Sequence, residues 1–245
     1  MKIIFIRHCD PDYEKDSLTD RGFIEAEALG EYYKDLNIKD IYCSPFGRAI
    51  ETAKYLLKYN KKTSFDDVEI IKDFREFNYR IKLPYKENAN AWDLLPTFLG
   101  ENKDLYDLDN WMNNKYYQSG NIKEHYEDVC KALETILNKH GYYKNKDRYF
   151  DVKENNKDTI VIVAHLGLIA ACLSYLLNTP FVTFSQNSCL VPSSVVKVVT
   201  EERRKGIAQF RMLQFGNIEH LTTKNIEPSF AARFCEIYED DSRHD

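Results

Sequence analysis

The chain has 245 residues, 43% hydrophobic and 30% charged, with a formal net charge of −5. That length is enough for one large α/β domain or two small ones, and the acidic balance argues against nucleic acid as a partner while still permitting a local basic pocket. No apolar run is long enough to span a bilayer, which argues against a membrane protein. Met1 leads directly into a strand pattern, so no signal peptide is expected. Cys9, Cys43, Cys130, Cys172, Cys189 and Cys235 are scattered without paired metal-type spacing and read as reduced thiols of a cytoplasmic protein.

Residues 2–6 form a short apolar run rich in β-branched and aromatic side chains, which reads as a buried strand. The run ends in Arg7-His8. In open α/β sheets ligands bind at the carboxyl ends of strands, although the dipeptide on its own could equally begin a solvated loop. Asp10-Pro11-Asp12 is a turn signal. Thr19 fits an N-cap for a helix over 22–36, with Ala26, Leu29, Tyr33 and Leu36 at helical spacing. A second strand over 40–43 delivers Ser44-Pro45 and a helix opening with Arg48 and running to Leu57. A cation in a first helical turn opposes the dipole, so a use for its charge is expected there.

A third strand over 68–71 leads to Arg75-Glu76. The segment 77–123 carries Tyr79, Tyr85, Trp92, Phe98, Tyr106, Trp111, Tyr116 and Tyr117. It is too long and too aromatic for a plain loop, and reads as a partly helical insertion over the site, a small core of its own, or both. Helical periodicity returns over 123–140, and the charged stretch 142–157 reads as a surface loop. Residues 159–164 form the clearest buried strand, ending in His165-Leu166-Gly167, and 168–177 reads as an apolar helix. Residues 193–200 and 207–215 alternate as two strands joined by a charged turn over 201–206, a hairpin expected at the sheet edge. Phe230 and Phe234 suggest a docked final helix. The alternation of strands and helices predicts a three-layer α/β/α sandwich with a mixed, mostly parallel sheet, a single domain over 1–245 with 77–123 as an insertion.

Four strand ends thus supply Arg7 and His8, Arg48, Glu76, and His165. In a parallel-type sheet these ends share an edge. Two arginines and two histidines would make a cationic pocket whose natural guest is a dianion, and arginine forks match phosphate oxygens bidentately. A histidine beside such a guest can be its nucleophile, and a carboxylic acid can protonate a departing oxygen. No acidic cluster for magnesium and no Gly-rich phosphate loop accompanies them, so no metal or nucleotide cofactor is expected.

These motifs resemble the histidine phosphatase superfamily, in its phosphoglycerate mutase-like branch. The resemblance rests on Arg7-His8, the 17–22 helix start, Ser44-Pro45 with Arg48, Glu51 and Thr52, Arg75-Glu76, Ala164-His165 with Gly167, and Asn217 with His220-Leu221, in order along most of the chain. It implies a phosphomonoester hydrolase in which His8 is transiently phosphorylated. Arg7, Arg48 and His165 would hold the phosphoryl oxygens, and Glu76 would act as acid and base, without a metal. The substrate would be a small phosphorylated metabolite or a phosphoprotein. Thr19, Tyr79, Arg80 and Trp92 are candidates for substrate or lid contacts. Cys9 stands where the family commonly has glycine, Leu166 where it has a small residue, and the glycine often found a few residues after the acid is lacking after Glu76, which leaves Glu87 as a rival acid. His125, His140, His220 and His244 read as surface or structural. The competing readings are mutase-type phosphoryl transfer and a catalytically weak phosphate-binding module of the same fold.

Overall fold

The computed structural model describes residues 1–231. Its first strand, β1 (Lys2–Arg7), shows how the layers arise. Ile3 and Phe5 point into one apolar cluster and Ile4 and Ile6 into another, because successive strand side chains face opposite sides. A run apolar at every position is therefore a strand covered on both faces. The short pair β2 (Pro11–Asp12) and β3 (Ser17–Leu18) precedes helix α1 (Asp20–Tyr32). Thr19 caps that helix, its side chain accepting from the Gly22 amide at 3.0 Å. The helix ends a turn before Leu36. Strand β4 (Asp40–Cys43), helix α2 (Gly47–Lys58) and strand β5 (Val68–Ile70) follow as expected, within a residue or two at their ends. Helices α1 and α2 cover one face, where Ala26, Leu29, Ala53 and Leu56 pack on Ile4, Ile41 and Val161.

The segment 77–123 holds a hairpin of β6 (Arg80–Leu83) and β7 (Lys86–Asn90), which the sequence pattern did not announce, then the short helices α3 (Pro96–Glu101) and α4 (Lys115–Gln118) with single 3₁₀ turns. Its buried Phe77, Ile81, Trp92, Phe98 and Trp111 belong to the same contiguous cluster as Phe5 and Ile162. They continue the main core on the second face, beneath α5 (Ile122–Lys139).

The stretch 142–157, expected as a surface loop, instead holds β8 (Tyr142–Lys144) and β9 (Phe150–Val152). Tyr142 and Phe150 are fully buried, at 0% exposure. Strands of three residues are too short to register a period, and intervening charges hide the two aromatic anchors. Strand β10 (Thr159–Ala164) and helix α6 (Leu166–Leu177) come next, then α7 (Val182–Ser185). The long hairpin of β11 (Val195–Arg204) and β12 (Ile207–Asn217) turns at Lys205-Gly206, where Gly206 takes φ +83°. The charged 201–204 stretch therefore pairs as strand, with Arg211 on Glu201 at 2.8 Å, and is not turn. The chain then enters α8 (Glu219–Thr222). Phe230 is exposed and no helix forms over 223–231, while Phe234 and His244 lie outside the described residues.

The main sheet has the order β5-β4-β10-β1-β11-β12-β9-β8. Strands β5, β4, β10 and β1 are parallel, and the pairs from β1 onward are antiparallel. The β11–β12 hairpin is interior, because β9 and β8 extend the sheet past it. With helices on both faces this is a three-layer α/β/α sandwich. Among the described residues no helix is long and apolar enough to cross a membrane.

Helices α1 and α2 meet at Gly30, where a Cβ would lie 2.2 Å from the Tyr55 carbonyl oxygen. Helix propensity alone favours alanine there by about 1 kcal/mol. The contact predicts the opposite sign: Gly30→Ala should cost about 1–3 kcal/mol by forced overpacking, measured by urea unfolding.

Candidate active site

The site is built where β1 and β10 end side by side. Arg7 pairs with Ala164 in parallel register, so the next residues, His8 and His165, emerge abreast. Their ring centroids are 5.1 Å apart and both side chains are fully buried. The His8 amide donates to the Ala164 carbonyl at 2.9 Å, and Ser193 donates from its backbone to the His8 carbonyl at 3.0 Å. The strand end is thus held from both neighbours.

His8 Nδ1 lies 2.7 Å from the Cys9 carbonyl oxygen. A carbonyl only accepts, so Nδ1 carries the proton and Nε2 presents a lone pair. Burial, reinforced by the charges of Arg7 and Arg48, holds the imidazole pKa well below its ordinary value. His8 is therefore neutral at physiological pH. His165 is likewise kept neutral, by burial first and then by His8, Arg48 and Arg7. Its Nε2 meets Ser44 Oγ at 2.6 Å, and that oxygen also accepts from the Phe46 amide at 3.3 Å.

Arg7 is 2% exposed and reaches back with Nη1 to the Leu190 carbonyl. Arg48, in the first turn of α2, is held by Asp16 at 2.9 Å and lies against the rings of Phe46 and Tyr13. The close packing of Gly47 on Asp16 fixes that acid: a Cβ on Gly47 would sit 1.9 Å from the Asp16 carbonyl oxygen. Four buried polar atoms, Arg7 Nε, His8 Nε2, Arg48 Nε and His165 Nδ1, have no hydrogen-bond partner among the described residues. Each such orphan costs about 1–3 kcal/mol, and the two arginine atoms are N–H groups of charged guanidinium forks. The group that satisfies such a set is an oxyanion.

Glu76 closes the arrangement. Its Oε1 accepts from the amides of Phe77 at 2.7 Å, Gly167 at 3.0 Å and Leu168 at 3.3 Å. Burial raises its pKa, against the opposing pull of Arg7 and Arg48. Gly167 permits this approach, since a Cβ there would lie 2.8 Å from Glu76 Oε1 and 2.7 Å from Trp92 Cζ3. Glu87 is exposed on β7 and does not line the cleft.

The cleft has a volume of about 220 Å³ and is lined by Arg7, Arg48, Glu76, Arg80 and Trp92 among others. Of the sequence candidates it gathers these five beside the buried His8 and His165. Thr19 is instead a helix cap, donating to Asp10 Oδ2 at 2.6 Å. Tyr79 stacks on His125, with centroids 3.4 Å apart, and does not line the cleft. Cys9 turns into the core cluster with Leu18 and Ala49, so its side chain does not crowd the cleft. Burial drives its thiol pKa well up, which keeps it unreactive. Thr52 explains its place in the motif by accepting from the Cys9 amide at 3.0 Å and donating to the Arg48 carbonyl at 2.8 Å. His220 meets Ser193 Oγ at 3.0 Å behind the strand end, and His140 lies between Asp40 and Asp158 far along the sheet.

Sequence reasoning missed Asp16, Tyr13, Asn78 and Asn90, and it placed Ser44 in a motif without giving it a role. Asp16 has one local signal, its place in the loop just before the Ser17-Leu18-Thr19 start. The two asparagines carry none, because their side chains reach the cleft through a hairpin that the pattern did not reveal.

A neutral histidine flanked by two arginines, with a buried carboxyl group opposite, at the carboxyl edge of a doubly covered α/β sheet, is a site of the phosphoryl-handling class. The chain belongs to the histidine phosphatase superfamily (branch 1), whose sequence model matches residues 3–212. Over 104 residues it is 30% identical to the fructose-2,6-bisphosphatase TIGAR B of Danio rerio. That match spans 36% of this chain and 40% of the relative's length. Among solved structures it resembles the phosphoserine phosphatase of Entamoeba histolytica bound to phosphoserine, at TM-score 0.57 and 20% identity over 90% of this chain and 98% of that one. A mycobacterial glucosyl-3-phosphoglycerate phosphatase superposes at TM-score 0.57 with 16% identity, over 88% and 98% of the two chains. At these identities the structural likeness is one of fold.

The His8 geometry makes a spectroscopic prediction. In ¹⁵N-edited NMR, His8 should keep the neutral Nδ1–H tautomer from about pH 5 to pH 8, whereas an unperturbed histidine titrates within that window. Protonation of His8 near pH 6.5 would contradict the burial and arginine effects described above.

Proposed function

We propose that this chain is a phosphomonoester hydrolase working through a phosphohistidine on His8, acting on a small phosphorylated metabolite in the cytoplasm. The observation that carries the reading is the His8 Nδ1–Cys9 carbonyl bond, which leaves an unpartnered Nε2 lone pair buried beside Arg7 and Arg48. The five described cysteines, all free, support a reducing compartment.

In the first half-reaction His8 Nε2 attacks phosphorus, a P–N bond forms, and the bond from phosphorus to the leaving oxygen breaks. Glu76, whose pKa burial raises, gives a proton from its acid form to the departing oxygen. In the second half, water attacks phosphorus, Glu76 takes its proton back, and the P–N bond breaks to restore His8. Arg7, Arg48 and His165 act on the nonbridging oxygens, where charge is spread in the transition state. The cation charge needed there is on the two arginines. The 77–123 insertion, through Arg80 and Trp92, forms the wall facing the reacting end, and we assign it the role of substrate cover.

Purified protein in chelator should release inorganic phosphate from phenyl phosphate, and His8→Ala should not. Mutase-type transfer differs in that it returns the phosphoryl group to product and releases no stoichiometric phosphate. Absence of turnover, with no acid-labile phosphate on His8 from a labelled donor, would sink the hydrolase reading.

Glu76 also sets a pH dependence. Its raised pKa keeps the acid form to higher pH than an ordinary carboxyl, so kcat/KM should fall as pH rises through that value. Glu76→Gln should remove this alkaline limb and lose about 10²–10⁴ in rate, read from pH–rate profiles of the two proteins.

A further inference from the structure

The insertion contributes polar groups of its own to the cleft. The β6–β7 hairpin sets Arg80 and Asn90 directly across from each other in antiparallel register, so both side chains leave the same face. The next pair, Ile81 and Ala89, points the other way and is buried at 1% and 0% exposure. Alternation therefore commits Arg80 and Asn90 to the cleft. Asn78, just before the hairpin, and Trp92, just after it, join them there.

This face is rigidly mounted. A Cβ on Gly120 would lie 2.3 Å from the Arg80 carbonyl oxygen, so the turn after α4 packs directly on the Arg80 backbone. Ser119 Oγ accepts from the Lys82 amide at 2.9 Å, and the Tyr117 hydroxyl donates to the Ala91 carbonyl at 3.1 Å. The backbone is pinned while the polar ends stay uncommitted. Arg80 enters no ion pair among the described residues, and Asp93, the acid just past the hairpin, is engaged by Lys86 at 2.7 Å. Asn90 Oδ1 is buried with no hydrogen-bond partner.

We propose that Arg80 and Asn90 form a second-anion subsite, making the preferred substrates small phosphomonoesters that carry a distal carboxylate or second phosphate beside a hydroxyl or amine. Arg80 takes the distal anion and Asn90 Oδ1 accepts from the neighbouring O–H or N–H, while the reacting phosphoryl group sits at Arg7, His8 and Arg48. The assignment of the reacting end rests on the hydrolase reading above. The subsite itself is a statement about binding and is tested as one.

The test uses the full chain with His8→Ala, so that ligands bind without turnover. Isothermal titration compares two matched pairs. Glycerol 3-phosphate and 3-phosphoglycerate differ by a hydroxymethyl group exchanged for a carboxylate. Fructose 6-phosphate and fructose 1,6-bisphosphate differ by a second phosphate. The doubly anionic member of at least one pair should bind about tenfold more tightly, as a charge-assisted hydrogen bond commonly supplies. Adding Arg80→Ala should bring that ratio close to one, and Arg80→Lys should retain a preference. Asn90→Asp, which places a carboxylate in the subsite at nearly constant size, should reverse it. Equal affinities within both pairs, a preference indifferent to Arg80→Ala, or no binding of any of the four ligands would each overturn the subsite. Failure of the hydrolase reading shows separately, as absent phosphate release by the unmutated protein.

Discussion

The parallel pairing of β1 with β10, in the register that sets Arg7 against Ala164, is the constraint on which the rest depends. Ile3 to Ile6 of β1 and Ile160 to Ala164 of β10 are apolar throughout, and in both strands the residue one step past the last paired position is a histidine. Register alone therefore brings His8 and His165 to within 5.1 Å between rings. A slip of one residue would turn every side chain of β1 to the opposite face and separate the histidines. Because each strand is buried on both faces, such a slip is strongly disfavoured. The specificity of the core becomes the precision of the site.

Burial then shifts the protonation of the two groups proposed to react, and it acts in the sense the proposal needs on both. Desolvation disfavours the charged form, so it lowers the pKa of His8 and raises that of Glu76. A neutral His8 and a carboxyl on Glu76 that holds its proton to higher pH than usual follow from one physical cause. The arginines reinforce the first effect and oppose the second. Glu76 keeps its place because three backbone amides converge on a single oxygen, two of them from the start of α6 immediately after His165. The proposed nucleophile, its partner histidine and the proposed acid are thus tied to a few residues at two adjacent strand ends.

The charged groups of the cleft are held by less conspicuous neighbours. Asp16 reaches Arg48 because its own backbone packs on Gly47, and Thr52 binds the helix carrying Arg48 to the loop carrying His8. Cys9 contributes its carbonyl to the site and its side chain to the core, so a residue larger than glycine is accommodated without touching the cleft. The insertion shares the main core, which lets its hairpin face the cleft from a rigid base.

The sequence by itself determined the strands 40–43 and 159–164 and the Thr19 cap, and it marked Arg7, His8, Arg48, Glu76 and His165 as site candidates. Each of these is a local event: an apolar run, a capping side chain, or a polar residue at a strand's end. Only the tertiary structure decided that β10 lies beside β1, that Glu76 and not Glu87 reaches the cleft, and that Tyr79 turns away to His125. It also decided that 142–157 extends the sheet, because three-residue strands gain their definition from the partner they pair with. Asp16, Asn78 and Asn90 were illegible for the same reason. Their roles come from backbone approaches and cross-strand pairing, which bring together residues distant in the chain and leave no periodic trace in it.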